Sequence, residues 1–99
     1  MEKIKMQERQ VCFFCGSNNW LETHHIFGGA NRKKSEKYGL VVDLCHFCHN
    51  EPPLGVHHNA KQMLKLKQAG QKAFEQVYGH EKFMQEFGKN YREVENDNC

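Results

Sequence analysis

A chain of 99 residues with 38% hydrophobic content is one small domain near the lower limit for a self-supporting core, so a metal, disulfides or a partner chain is expected to add to it. The formal net charge of +2 is too small to argue for nucleic acid by itself, and no stretch approaches the ~20 apolar residues of a membrane span. Residues 1–9 lack an apolar signal-peptide core, so the five cysteines are expected in a reducing, cytoplasmic setting, which favours metal binding over disulfides.

Residues 1–11 read as a polar N-terminal extension with isolated apolar positions at Ile4, Met6 and Val11, either a frayed start or a short helix. Cys12-x-x-Cys15, followed by Gly16, has the spacing of a zinc knuckle, and Cys45-x-x-Cys48 repeats it. Two such knuckles in so short a span predict one tetrahedral structural zinc held by Cys12, Cys15, Cys45 and Cys48. Between them, alternation over 20–27 predicts a strand, on which His24 and His25 point to opposite faces. Gly28 and Gly29 end it in a loop. Arg32, Lys33, Lys34 and Lys37 extend that loop as a basic segment, which contacts phosphates if it lies near the histidines and is otherwise an ordinary solubility charge. A second strand over 39–44 delivers Cys45, giving a hairpin.

Pro52, Pro53 and Gly55 break the chain. A helix then runs from 56–59 to Tyr78, with Ala60, Met63, Leu64, Phe74 and Val77 on its apolar face and Gly70 weakening its middle. Gly79 stops it, and a shorter helix over 81–87 carries Phe83, Met84 and Phe87. His46 and His58 read as solvent-facing and His80 as a helix-start residue. The segment 93–99 reads as a disordered tail with Cys99 as a spare thiol.

Four cysteines account for the zinc, and the grouped histidines His24, His25, His49, His57 and His58 are left for a second site. Cys12-x-x-Cys15, His24-His25-Ile26, Gly28-Gly29 and Leu44-Cys45-x-x-Cys48-His49 together resemble the HNH endonucleases, whose ββα-metal (His-Me finger) fold here carries an added four-cysteine zinc. The resemblance covers about residues 12–59. It implies a small α+β fold: a zinc-stapled ββα-metal core over 12–58, a C-terminal helical segment over 59–92 and the tail. As a whole the sequence is similar to small HNH proteins of phages and prophages of Gram-positive bacteria, on residues 24–35 and 38–40.

The resemblance further implies that His25 is the general base, and that His24, His49 and a later histidine hold a catalytic divalent ion. His57 is preferred over His58 for that last ligand, although it follows His49 by eight residues and Pro52 and Pro53 intervene. Magnesium or manganese is the expected ion, and nickel or zinc also suits an imidazole-rich site. The family's middle asparagine is missing: Leu40 stands at its place beside Gly39, so either Asn31 or another residue supports the loop, or activity is reduced.

The expected function is metal-dependent hydrolysis of DNA phosphodiester bonds, one strand per site, with Arg32, Lys33 and Lys34 on the DNA backbone. The resemblance points to the cytoplasm of a bacterial host and to a phage packaging or recombination protein as partner. A homodimer would be needed to cut both strands. The alternatives are a non-catalytic zinc-stabilised DNA- or protein-binding module, and an accessory subunit active only with a phage partner.

Overall fold

The structure, a computed structural model, describes residues 3–8 and 10–93. In chain order it contains β1 (Leu21–His25), a 3-10 turn (Gly29–Asn31), α1 (Arg32–Tyr38), β2 (Val41–Cys45), α2 (His46–Asn50), a 3-10 turn (Val56–His58), α3 (Ala60–Tyr78), α4 (His80–Phe87) and a last 3-10 turn (Tyr91–Glu93). The protein is thus a small α+β fold: an antiparallel two-stranded sheet, a four-cysteine cluster beside it, and C-terminal helices across it. The expected tail beyond 93, with Cys99, lies outside the described residues.

β1 and β2 pair with Leu21 opposite Cys45 and His25 opposite Val41, so the register sets both knuckle and histidines. One expectation fails between the strands: the basic segment is the helix α1, not a loop. Only Ser35 and Tyr38, one turn apart, are buried on it, and two inward positions are too few to register as a helical period. Gly39 ends α1 in the left-handed conformation at φ 81°, and a Cβ there would run into the carbonyl of Ile4. The N-terminal segment packs against that point, where Ile4 N donates to Tyr38 O at 2.7 Å.

α3 lies over the sheet through Leu66, Gly70, Gln71 and Phe74. The inward row advances four residues at a time, so Tyr78 takes the next place and Val77, expected inside, is 47% exposed. Gly70 is a contact rather than a weakness: a Cβ there would stand 3.0 Å from Ile26 Cγ2 and 3.1 Å from Phe27 Cε2. Phe27 is also the hinge to the end of the chain, its ring centroid 5.6 Å from Phe83, 4.7 Å from Phe87 and 5.4 Å from Tyr91. Burial of these rings fastens α4 and α3 to the residues that follow His24 and His25, at about 1.5–3 kcal/mol per fully buried side chain. No helix of the described residues is long and apolar enough to cross a membrane.

Candidate metal centre

The first knuckle forms because Gly16 closes a tight turn: its N donates to Cys12 O at 2.9 Å, and Cys15 N points at Cys12 Sγ at 3.5 Å. Phe13 N donates to Asp43 O at 2.8 Å, tying the turn to β2, whose last residue is Cys45. α2 then turns Cys48 back. All four sulfurs lie within 4.8 Å of one another, and Cys15 Sγ is 3.6 Å from Cys45 Sγ. Metal–sulfur bonds of about 2.3 Å in a tetrahedron require sulfurs about 3.8 Å apart, whereas a disulfide needs about 2.05 Å. The four thiols therefore fit a structural zinc. Burial pushes the Cys12 thiol up, but hydrogen bonds from the Cys45, Cys15 and Phe14 backbone outweigh it and bring it down to about 7. Cys48 is pushed well up by burial and by the Cys45 and Cys12 sulfurs.

The second cluster takes one imidazole from each of three elements: His24 from β1, His49 from α2 and His57 from the 3-10 turn before α3. His24 Nδ1 lies 3.3 Å from His49 Nε2, and His57 Nε2 lies 3.0 Å from the same atom. Nitrogens bound to one tetrahedral ion at about 2.0–2.1 Å would be about 3.3 Å apart. A shared proton satisfies two such nitrogens, and a shared cation satisfies all three. His24 is 5% exposed and its Nε2 is buried with no hydrogen-bond partner, so no bond to protein at that atom fixes the ring. Burial, followed by the charges of His49 and His57, lowers the pKa of His24 to about 4. Burial, followed by the charges of His49 and His58, lowers His57. Both rings are thus held in the neutral form that ligates metal.

Glu22 orients the His49 ring. Its Oε1 accepts from His49 Nδ1 at 2.7 Å and from Asn50 Nδ2 at 3.0 Å, while its Oε2 lies 3.1 Å from His46 Nδ1. With the proton of His49 on Nδ1, the lone pair of Nε2 faces the cluster. Hydrogen bonds from His49 and His46 hold the Glu22 carboxyl below its usual range. The sequence carried a sign of this: Glu22 and His24 are two apart on a strand and share a face. His46, expected in solvent, is half-buried, lies between Glu22 and Glu51, and stacks on Trp20 with ring centroids 4.1 Å apart. His58 is exposed, and His80 opens α4 with its Nδ1 2.6 Å from Glu75 Oε2.

The three imidazoles form one wall of an open pocket of about 420 Å3, and His25, Gly28, Gly29, Arg32, Met63 and Lys67 line the rest. His25 stays out of the nitrogen cluster, and its Nε2 lies 3.5 Å from Glu36 Oε2. Of the basic residues expected on a substrate, Arg32 lines the pocket and Lys33 is exposed beside it. Lys34 is turned the other way, its Nζ donating to Glu86 O at 2.5 Å at the end of α4. Lys67, from α3, was not expected and takes a place on the rim.

At the position of the missing asparagine, Leu40 is fully buried and joins the loop by its backbone: its O accepts from Ile26 N at 3.0 Å and its N donates to Ser35 O at 2.7 Å. The side chain that holds the loop is Ser35, also fully buried. Its Oγ accepts from Phe27 N at 2.9 Å and donates to Phe27 O at 2.8 Å. Nothing in the sequence marked Ser35, because a serine between lysine and glutamate reads as solvent-facing.

Compared with known protein families, curated proteins and solved structures, the chain has no match. Its arrangement, a four-cysteine cluster and a histidine triad beside a β-hairpin followed by helix, is consistent with a zinc-binding ββα motif.

Proposed function

We propose that the protein is a metal-dependent endonuclease of the HNH type, acting on the phosphodiester bonds of DNA. The observation that carries this reading is the convergence of three imidazoles in an open pocket that also presents a fourth histidine and two cationic side chains. A divalent cation on His24, His49 and His57 supplies Lewis acidity toward the scissile phosphate and its departing oxygen. Three imidazoles are a donor set for zinc or nickel more than for magnesium, which takes oxygen ligands.

His25 is the base. Glu36 faces its Nε2, which leaves Nδ1 with the lone pair that takes a proton from water, and the carboxylate stabilises the imidazolium that results. The water oxygen bonds to phosphorus as the bond from phosphorus to the leaving oxygen breaks. Arg32 and Lys67 hold the flanking phosphates by charge, without reading sequence. Ser35 acts earlier, fixing the Phe27 backbone two residues beyond His25. A phage packaging or recombination protein remains the proposed partner, on the strength of the sequence resemblance.

The test is nicking of supercoiled plasmid by the purified chain with magnesium, manganese, nickel or zinc in turn, wild type beside His25→Ala. Metal-dependent nicking that is lost in the variant, with the four-cysteine zinc retained, is the expected result. Retention of DNA in a gel shift with no nicking under any ion would refute the self-sufficient enzyme.

A further inference from the structure

On the other side of Met63 and Lys67 from the histidines lies a second depression of about 280 Å3, lined also by Ala60, Leu64, Lys89 and Tyr91. Met63 and Lys67 line both hollows, so the two adjoin. The charged groups of the second are the two lysines, Lys67 and Lys89. Lys67 Nζ and Lys89 Nζ each stand 5.3 Å from the centroid of the Tyr91 ring. Among the described residues neither makes an ion pair. Aromatic faces attract ammonium groups but do not neutralise them. Two cations gathered on one ring are therefore a receptor for an anion.

The receptor is built on fixed ground. Tyr91 N donates to Gln71 Oε1 at 2.8 Å, and Tyr91 O accepts from Gln68 Nε2 at 3.1 Å. Gln71 is fully buried, and its amide also donates to Asn90 Oδ1 and Glu75 Oε2, each at 2.8 Å. The Tyr91 ring packs against Phe27, the residue that Ser35 pins beside His25. The second hollow is thus held in register with the first through the core, not through an exposed loop.

We propose that Lys67, Lys89 and Tyr91 form a second phosphate subsite, which takes the backbone of duplex DNA flanking the bond held at the histidines. The identity of the ligand rests on the nuclease reading; the subsite itself rests on the two adjoining hollows. An extended polyanion engages both hollows at once, whereas a single anion fills only one, and the metal-ligating histidines of the adjoining hollow favour a phosphodiester chain over an acidic peptide.

The experiment is fluorescence anisotropy of labelled DNA duplexes of stepped length, using the full chain as wild type, Lys89→Ala, Arg32→Ala and Lys82→Ala. Lys82 lies 3.8 Å from Glu86 outside both hollows and controls for a lost surface charge. Lys89→Ala is expected to weaken binding of the longer duplexes by roughly threefold to tenfold and to lower the salt dependence by about one phosphate contact. The shortest duplex, which covers the histidines alone, should bind wild type and Lys89→Ala alike. Equal binding of Lys89→Ala and wild type at every length, with Arg32→Ala weakened, would overturn the subsite and leave the nuclease reading standing. Failure of the wild type to bind any duplex would overturn both.

Discussion

Glu22→Gln tests the histidine cluster without touching a ligand. In the native protein one carboxylate oxygen accepts from both His49 Nδ1 and Asn50 Nδ2, and the other faces His46 Nδ1. An amide has one oxygen. If that oxygen keeps His49, its NH2 group faces His46; if it turns to His46, an N–H is set against the His49 N–H. Either way the charge that fixes the tautomer of His49 is gone, and a charge-assisted hydrogen bond is worth about 1.5–3 kcal/mol. That range agrees with the 10- to 100-fold loss of metal affinity typical when such a carboxylate is removed, about 1.4–2.7 kcal/mol. The assay is calorimetric titration of nickel or zinc into protein whose cysteine cluster is already loaded. His46→Gln is the control, since it removes the 3.1 Å contact and leaves the bond to His49. Affinity of Glu22→Gln within about twofold of wild type would refute the argument that Glu22 aims His49.

Ser35→Ala leaves the N–H and C=O of buried Phe27 without their side-chain partner, and should cost about 2–4 kcal/mol of stability by urea unfolding; a cost below about 1 kcal/mol would mean that water reaches the loop. Gly70→Ala gains about 1 kcal/mol of helix propensity, but its Cβ meets Ile26 and Phe27 at 3.0–3.1 Å, both 1% exposed with no room to retreat. Overpacking costs about 1–3 kcal/mol, so the variant should be net destabilised, and a raised melting temperature would contradict the close approach. The pH dependence follows from His24, whose folded pKa is lowered to about 4 from 6.5. Below about pH 6.5 the unfolded chain binds a proton that the folded chain refuses, so stability is full above 6.5 and falls as pH drops toward 4. The part of the loss due to His24 between pH 6.5 and 5 should be at most about 2 kcal/mol, measured with the triad free of metal as the difference between wild type and His24→Asn. His57 is lowered too and adds to the same slope, while His46 is raised, chiefly by its hydrogen bond to Glu22, and the stability it adds is lost as pH rises.

The residues that cluster were legible in the sequence because metal chemistry is local: a Cys-x-x-Cys pair declares its geometry, and the two strands between the pairs follow from alternation and from glycine. The groups that position them were not. Ser35 is set by what lies across the fold from it, and its hydroxyl, not a side chain at position 40, bonds the Phe27 backbone. α1 hid because its inward face is a serine and a tyrosine amid lysines. Gly70 and Val77 were misread for one reason: periodicity gives the pitch of a helix, but only the partner surface fixes which row faces in.

The eight-residue step from His49 to His57 shows how an apparent misfit in spacing is absorbed. Continuous helix would carry a ligand eight residues onward more than two turns along the axis, about 12 Å away. The chain instead leaves α2 after Asn50 and doubles back: Gly55 N donates to Glu51 O at 2.7 Å, and His58 N donates to Gly55 O at 2.8 Å. A Cβ at Gly55 would lie 2.6 Å from Glu51 N, so only glycine lets the loop close on the end of α2. Asn59 locks the return. Its Nδ2 donates to Pro53 O at 3.0 Å, and its Oδ1 accepts from Gln62 N at 3.1 Å as the cap of α3. One side chain thus fixes both the loop that returns His57 to His49 and the start of the helix that carries Met63 and Lys67 to the pocket. The insertion that looked like an obstacle to a third ligand is the segment that couples the histidine cluster to the C-terminal helices.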